Sequence, residues 1–259
     1  MTVSSPAGSG PVLVAKSVSV TYGGVRAVDQ VSLSVERGGI VGIIGPNGAG
    51  KSSFLGALGG QVRRSAGQIL LGDHEIGGLL PHQRARLGLA RTFQTTSEFG
   101  RMTVFENLAT AAQGDRGASL RAVVSHPRRT RQREGQVAEH AWQVLRRFEM
   151  EHTASLYGQE LSGGQRRLVE IMRCLMRSPE VLLLDEPMVG VAPHLTRKLI
   201  EDLRAIGREG LAIVIVEHAL EVVRQLCDRV VVMALGRVIA AGSFEEVVQD
   251  PAVQSAYLS

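Results

Sequence analysis

The chain has 259 residues, 44% hydrophobic and 21% charged, with a formal net charge of +4; this is ordinary globular composition, long enough for one α/β core or a core plus a subdomain. No apolar run approaches the roughly 18 to 20 residues of a membrane-spanning helix, and so mild a positive charge does not demand a nucleic-acid partner. The two cysteines, Cys174 and Cys227, stand in helical patterns with neither metal nor disulfide spacing, which suits a reduced cytoplasmic setting.

Residues 1–11, MTVSSPAGSGP, have neither the basic start nor the apolar stretch of a signal peptide and read as a flexible tail. Val12 to Val20 alternates apolar and polar residues, as a strand does. Tyr22-Gly23-Gly24 turns the chain, and Val28 to Val35 alternates again. Arg37-Gly38-Gly39 then precedes the apolar strand Ile40–Ile44. An early antiparallel β-layer is expected. A helix follows over about Ser52 to Gly59, and GQILLGDHEI reads as a hairpin turning at Gly72-Asp73. From about Thr95 the texture becomes helical, with 3.6-residue periodicity in Met102–Ala112 and Gln136–Glu149. Arg128 to Glu134 (RRTRQRE) reads as a solvated loop or helix face, with an anionic lipid or partner contact as the alternative. Leu168 to Met176 is a further helix, closed by Ser178-Pro179. Strand and helix then alternate: Val181–Leu184, Pro193–Gly207, Leu211–Val216, Leu220–Cys227 and Arg229–Ala234. Such alternation predicts parallel strands with right-handed crossovers. The expected layout is an α/β core, residues 12–94 and 177–259, interrupted by a helical subdomain at 95–176.

Three short motifs carry chemistry. The first is GPNGAGKSS: Gly45, Pro46, Asn47, Gly48, Ala49, Gly50, Lys51, Ser52 and Ser53. Its G-x-x-x-x-G-K-S spacing, between a strand and a helix, is that of a P-loop. Glycines let backbone N–H groups wrap a polyphosphate, and the helix adds its positive N-terminal end. Lys51 is one of only three lysines in the chain, against 26 arginines. A compact ammonium fits between β- and γ-phosphates, whereas the planar guanidinium fork is too wide for that nest. Ser52 should offer its hydroxyl to Mg²⁺. The second motif is VLLLDEP, Val181 to Pro187. An apolar strand delivers Asp185, for Mg²⁺, and Glu186, for polarising water, to the carboxyl end of the sheet. The third is LSGGQ, in which Ser162, Gly163, Gly164 and Gln165 stand ahead of a helix starting near Arg166 and make a second anion-binding N-terminus. One nucleotide already has its P-loop, so a second phosphate site suggests use in trans, on a partner chain's nucleotide.

In the order of these motifs the chain resembles the ATP-binding cassette (ABC) ATPases from about Val12 to its C-terminus. The resemblance implies a RecA-like P-loop core with an antiparallel β-layer and a helical subdomain bearing LSGGQ. It implies ATP and Mg²⁺ as ligands, and two cassettes sandwiching two nucleotides. It assigns Gln94, at the end of LARTFQ, to sensing Mg²⁺ and water and to coupling with a transmembrane partner. His218 matches the histidine that contacts the γ-phosphate, and Tyr22 the aromatic that stacks on adenine. One departure concerns the loop after the Asp-Glu strand, where Ala192 replaces an aspartate common in ABC ATPases.

A closer likeness is to the ATPase subunits of branched-chain amino-acid importers. It rests on LGLARTFQ, MTVFENL, GQRRLVEIMRCLM, the segment from Val216 to Pro251, and the C-terminal AYLS. It implies a peripheral subunit on the cytoplasmic face of the membrane, partnered by transmembrane permease subunits and a second, non-identical ATPase, with a substrate-binding protein acting indirectly and no nucleic acid. Alternatives are the same machine with another cargo (urea, short amides, an exported lipopolysaccharide-type lipid), a soluble ABC protein acting on ribosomes or DNA, and an inactive regulatory cassette. The single cassette, without a cysteine cluster, argues against the soluble form; intact Lys51, Asp185, Glu186 and His218 argue against the inactive one.

Overall fold

The computed structural model describes residues 10–92, 100–112 and 127–258. Gln94 and most of the N-terminal tail lie outside them. Two sheets organise the chain. Strands β1 (Pro11–Tyr22) and β2 (Val25–Glu36) pair antiparallel, and β4 (Ala66–Leu71) and β5 (His74–Glu75) extend them into a four-stranded sheet ordered β2-β1-β4-β5. The second sheet has six strands in the order β10-β9-β3-β8-β7-β6. These are β3 (Ile40–Ile44), β6 (Leu89–Arg91), β7 (Val181–Asp185), β8 (Ala212–Val216), β9 (Arg229–Ala234) and β10 (Arg237–Gly242). Its strands run parallel, except for the antiparallel β9–β10 hairpin at one edge.

The helices are α1 (Lys51–Gly59), α2 (Pro81–Arg86), α3 (Val104–Ala112), α4 (Pro127–Arg147), α5 (Gly163–Leu175), α6 (Pro193–Arg208), α7 (Leu220–Leu226), α8 (Phe244–Gln249) and α9 (Pro251–Leu258). Among the described residues, no helix is long and apolar enough to cross a membrane.

The central strands read as unbroken apolar runs because both of their faces are buried. On β7, Val181 and Leu183 face one core while Leu182 and Leu184 face the other; on β8, Val214 and Val216 oppose Ile213 and Ile215. One core joins this sheet to the β1–β2–β4 layer, with α1 between them through Phe54, Leu55 and Leu58. The other joins the opposite face to α6 and to helices α3, α4 and α5. The helix following the P-loop is therefore held between two sheets, which fixes its N-terminal end.

The expected β-layer, parallel sheet and helical insert are all present. Several boundaries and elements differ. The arginine-rich stretch is a helix face, one of its two expected forms: it belongs to α4, and Arg131 to Glu134 are exposed on it. Helix α5 starts at Gly163 rather than Leu168, because Ser162 caps it through a reciprocal hydrogen-bonded box with Gln165. Strands β6 and β10 and helices α2, α8 and α9 add to the elements read from periodicity. Both cysteines are free thiols, and burial pushes Cys227 up to about 12.

Candidate active site

The carboxyl ends of β3, β8 and β7 lie side by side, so the loops that leave these strands converge. After β3 comes the P-loop. Its shape depends on two close approaches that no side chain could make. A Cβ on Gly45 would lie 2.0 Å from Met233 O, and one on Gly50 2.2 Å from Ala27 O, both at positive φ. The loop is pinned to the β9–β10 hairpin by Gly236 N–H donating to Ala49 O at 3.1 Å.

Lys51 opens α1 and is 6% exposed. Its Nζ donates to the carbonyls of Gly45 (2.8 Å) and Pro46 (2.9 Å), so the ammonium points back into the loop it follows. Burial pulls its pKa below the ordinary lysine value, while the Glu186 and Asp185 carboxylates oppose the fall. Ser52 is exposed and Ser53 half-buried at the mouth of a cavity of about 360 Å³. That cavity is also lined by Tyr22, Arg91, Thr92 and Asp185. Tyr22, 49% exposed at the end of β1, thus stands on the same cavity as the loop's serines.

Asp185 ends β7 on the face of Val181 and Leu183, the face that carries α1. It is buried. Its Oδ2 accepts from Arg91 Nη2 at 3.0 Å, and its Oδ1 has no hydrogen-bond partner. A buried carboxylate oxygen without a partner, on a residue that lines the same cavity as Ser52, suits a hard divalent cation. Glu186 leaves the strand alternation. Its φ of 48° is left-handed, a conformation unfavourable for a side chain that long. Its N–H donates to Val216 O at 2.9 Å, and its Oε1 lies 2.8 Å from His218 Nε2. With the proton on Nε2, the ring donates to the carboxylate.

Sequence patterns give no sign of Glu217, which is 2% exposed between two site residues. Its carboxylate accepts from Met188 N–H at 3.0 Å and His218 N–H at 3.1 Å. One buried acid therefore joins the turn after Glu186 to the end of β8. In the sequence it reads only as the polar terminus of a strand.

The LSGGQ segment lies apart from this cavity: none of residues 161–165, all described, lines it. Ser162 Oγ accepts from Gln165 N–H at 3.2 Å and keeps its hydroxyl proton as a donor. Gly164 packs close to the turn after Glu186, where an added Cβ would lie 3.3 Å from Val191 Cα. Ala192 is the N-cap of α6 and supplies no side-chain acceptor there.

Known proteins resemble this chain along nearly its whole length. The ABC transporter family model matches residues 28–189, and a model described as branched-chain amino acid ATP-binding cassette transporter matches 237–258. A probable branched-chain amino acid transport ATP-binding protein, LivG of Archaeoglobus fulgidus, is 34% identical over 95% of each chain. The lipopolysaccharide export system ATP-binding protein LptB of Escherichia coli is 38% identical over 95% of this chain and 96% of its own. Among solved structures, a nucleotide-free ATP-binding cassette from an ABC transporter superposes with a TM-score of 0.84 at 31% identity, covering 96% of this chain and 99% of that one.

Proposed function

Since the chain belongs to the ABC transporter family, as an ATPase subunit homologous to those of branched-chain amino-acid importers, we propose that it powers import of branched-chain or related amino acids from the cytoplasmic face of the membrane. The observation that carries the catalytic part is the convergence of Lys51, Asp185, Glu186 and His218 at the ends of three adjacent strands. Membership of the ABC transporter family supports a cassette that pairs with a second cassette and works with transmembrane subunits.

In the proposed reaction the P-loop backbone, Gly45 to Ser53, cradles the phosphates, and Lys51 exchanges its two loop carbonyls for phosphate oxygens. Tyr22 stacks on the base. Ser52 and Asp185 hold Mg²⁺, with Gln94 as a further ligand by family likeness. Held there, the ion would offset the charge of the phosphates. Glu186 orients a water in line with the γ-phosphate and draws its proton, and His218 fixes the Glu186 carboxylate. Attack breaks the bond between the γ-phosphorus and the bridging oxygen, giving ADP and phosphate.

The signature residues Ser162, Gly163, Gly164 and Gln165 serve a partner's nucleotide, which fits their placement off the chain's own cavity. That partner is a similar, non-identical ATPase. The core, 12–94 and 177–259, carries the nucleotide, and 95–176 moves with the partner. A groove of about 450 Å³ between these parts, with Pro81, Ala85, Ala90 and Ala111 in its wall, adjoins the strand running toward Gln94. It takes a short segment of a transmembrane subunit.

The test is reconstitution with the membrane subunits and binding protein in proteoliposomes. ATP-dependent uptake of radiolabelled leucine or a close analogue is expected. ATPase stimulation by lipopolysaccharide-type lipid, without any by amino-acid-loaded binding protein, would overturn the cargo assignment.

A further inference from the structure

Arg91 stands where two cavities meet. It is the last residue of β6, paired in parallel register with Leu183, two residues before Asp185. Leu89 faces the α1 side of the sheet, so strand parity puts Arg91 on that side too. Its side chain crosses α1 at Gly56 and Gly59. A Cβ on Gly59 would lie 2.9 Å from Arg91 Cδ, and one on Gly56 3.4 Å from its Nη1. The P-loop helix is thus flattened where the arginine passes. The fork ends on two acceptors, Gln61 Oε1 at 2.8 Å through Nη1 and Asp185 Oδ2 at 3.0 Å through Nη2. The ion pair is largely buried, with side chains 13% and 4% exposed. Arg91, Gln61 and Thr92 line both the nucleotide cavity and the groove between the core and the helical subdomain.

We propose that Arg91 is a positioning residue that competes with the divalent cation for Asp185, and so links occupancy of that carboxylate to the strand leading toward Gln94 and the groove. The inference rests on the nucleotide-site reading above. The physics is a contest of cations. A guanidinium donating to a carboxylate oxygen blocks one lone-pair direction and half-neutralises the site. A divalent ion on the same carboxylate repels the guanidinium at close range, in a partly buried setting where screening is weak. Arg91 then loosens from Asp185 and keeps only Gln61. Because it is anchored on edge strand β6, its change of partner is felt at Thr92 and the groove wall. Lysine could hold the charge but lacks the rigid fork that reaches Gln61 and Asp185 through separate nitrogens.

The test measures metal affinity rather than turnover. Mn²⁺ binding to the full chain is followed by electron paramagnetic resonance in the presence of a non-hydrolysable ATP analogue, for wild type, Arg91→Met and Arg91→Lys. Removing the competitor should tighten Mn²⁺ about tenfold in Arg91→Met and by less in Arg91→Lys. Affinity for the analogue without metal should stay within about twofold. A general loss of structure would weaken metal binding, so tightening separates the two roles. Unchanged or weaker Mn²⁺ binding in Arg91→Met overturns the inference. If that variant does not fold, Arg91→Lys decides alone: tighter binding supports it, and unchanged or weaker binding overturns it. Failure of the wild-type chain to bind the analogue at all would instead overturn the nucleotide-site reading, and this inference with it.

Discussion

Replacing Glu217 with alanine should cost both stability and turnover, although the residue touches no expected substrate atom. Its carboxylate is the acceptor for the N–H groups of Met188 and His218, and the Ala219 N–H also bears on it. Truncation leaves the buried Met188 N–H without a partner, at ~1–3 kcal/mol, and takes the acceptor from the partly buried His218 N–H at a smaller cost. Removing a carboxylate whose burial is unfavourable returns part of that. The net loss should be about 3 kcal/mol, or about 6–12 °C in Tm for a chain of this size. ATPase activity should fall further than stability explains, because the turn after Glu186 and the backbone of His218 are both held by this carboxylate. Burial holds the Glu217 pKa above the ordinary glutamate value, against the backbone N–H groups that lower it. Its contribution is therefore fully present below the unfolded value of ~4.3 and lost as pH rises through the higher folded value. Glutamine does not titrate, so the stability gap between wild type and Glu217→Gln should widen as pH falls from about 7.5 to about 4.5. Urea melts across that range, with steady-state ATPase assays, measure all of this. A Glu217→Ala protein that melts within about 1 °C of wild type and hydrolyses ATP normally would refute the reasoning.

Lys51→Ala should lose at least about 3 kcal/mol of ATP affinity, seen by calorimetry, since the β- and γ-phosphates lose their buried counter-ion. Lys51→Arg should fail nearly as badly, because the planar fork is too wide for the place the ammonium takes between the β- and γ-phosphates; wild-type turnover in that variant would sink the point-charge argument. Glu186→Gln should still bind ATP while hydrolysis falls at least about 100-fold, and the closed dimer should outlive the wild-type one on size exclusion. An undiminished rate would remove Glu186 as the base.

The site was legible where chemistry imposes spacing. The P-loop could be read because a strand, four free positions, Gly50, Lys51 and Ser52 must follow in that order to wrap a phosphate. Asp185 and Glu186 could be read because β7 is buried on both faces and so appears as an unbroken apolar run that stops at the acids. The elements that went unread are short or apolar-poor. Strand β6 has three residues and α2 has six, too few for a period to show, and the first half of α4 has no apolar stripe to betray it. Arg91 and Glu217 were invisible for a different reason. In a chain that chooses arginine as its usual cation, one more arginine carries no signal. A glutamate at the end of a strand looks solvated until the neighbouring turn folds over it. Both act through partners distant in sequence, Asp185 for one and Met188 for the other, and only the parallel register of β6, β7 and β8 brings them together.

The central claim is that the nucleotide seated on one chain's Lys51 is completed by another chain's Ser162. The most direct test is the ATPase rate per chain as a function of protein concentration, alone and with the membrane subunits. The rate should be low in a dilute monomer, should rise with concentration as chains pair, and should become high and insensitive to dilution in the assembled transporter. A high rate per chain that does not change with concentration, in a preparation shown by light scattering to be monomeric, would contradict it.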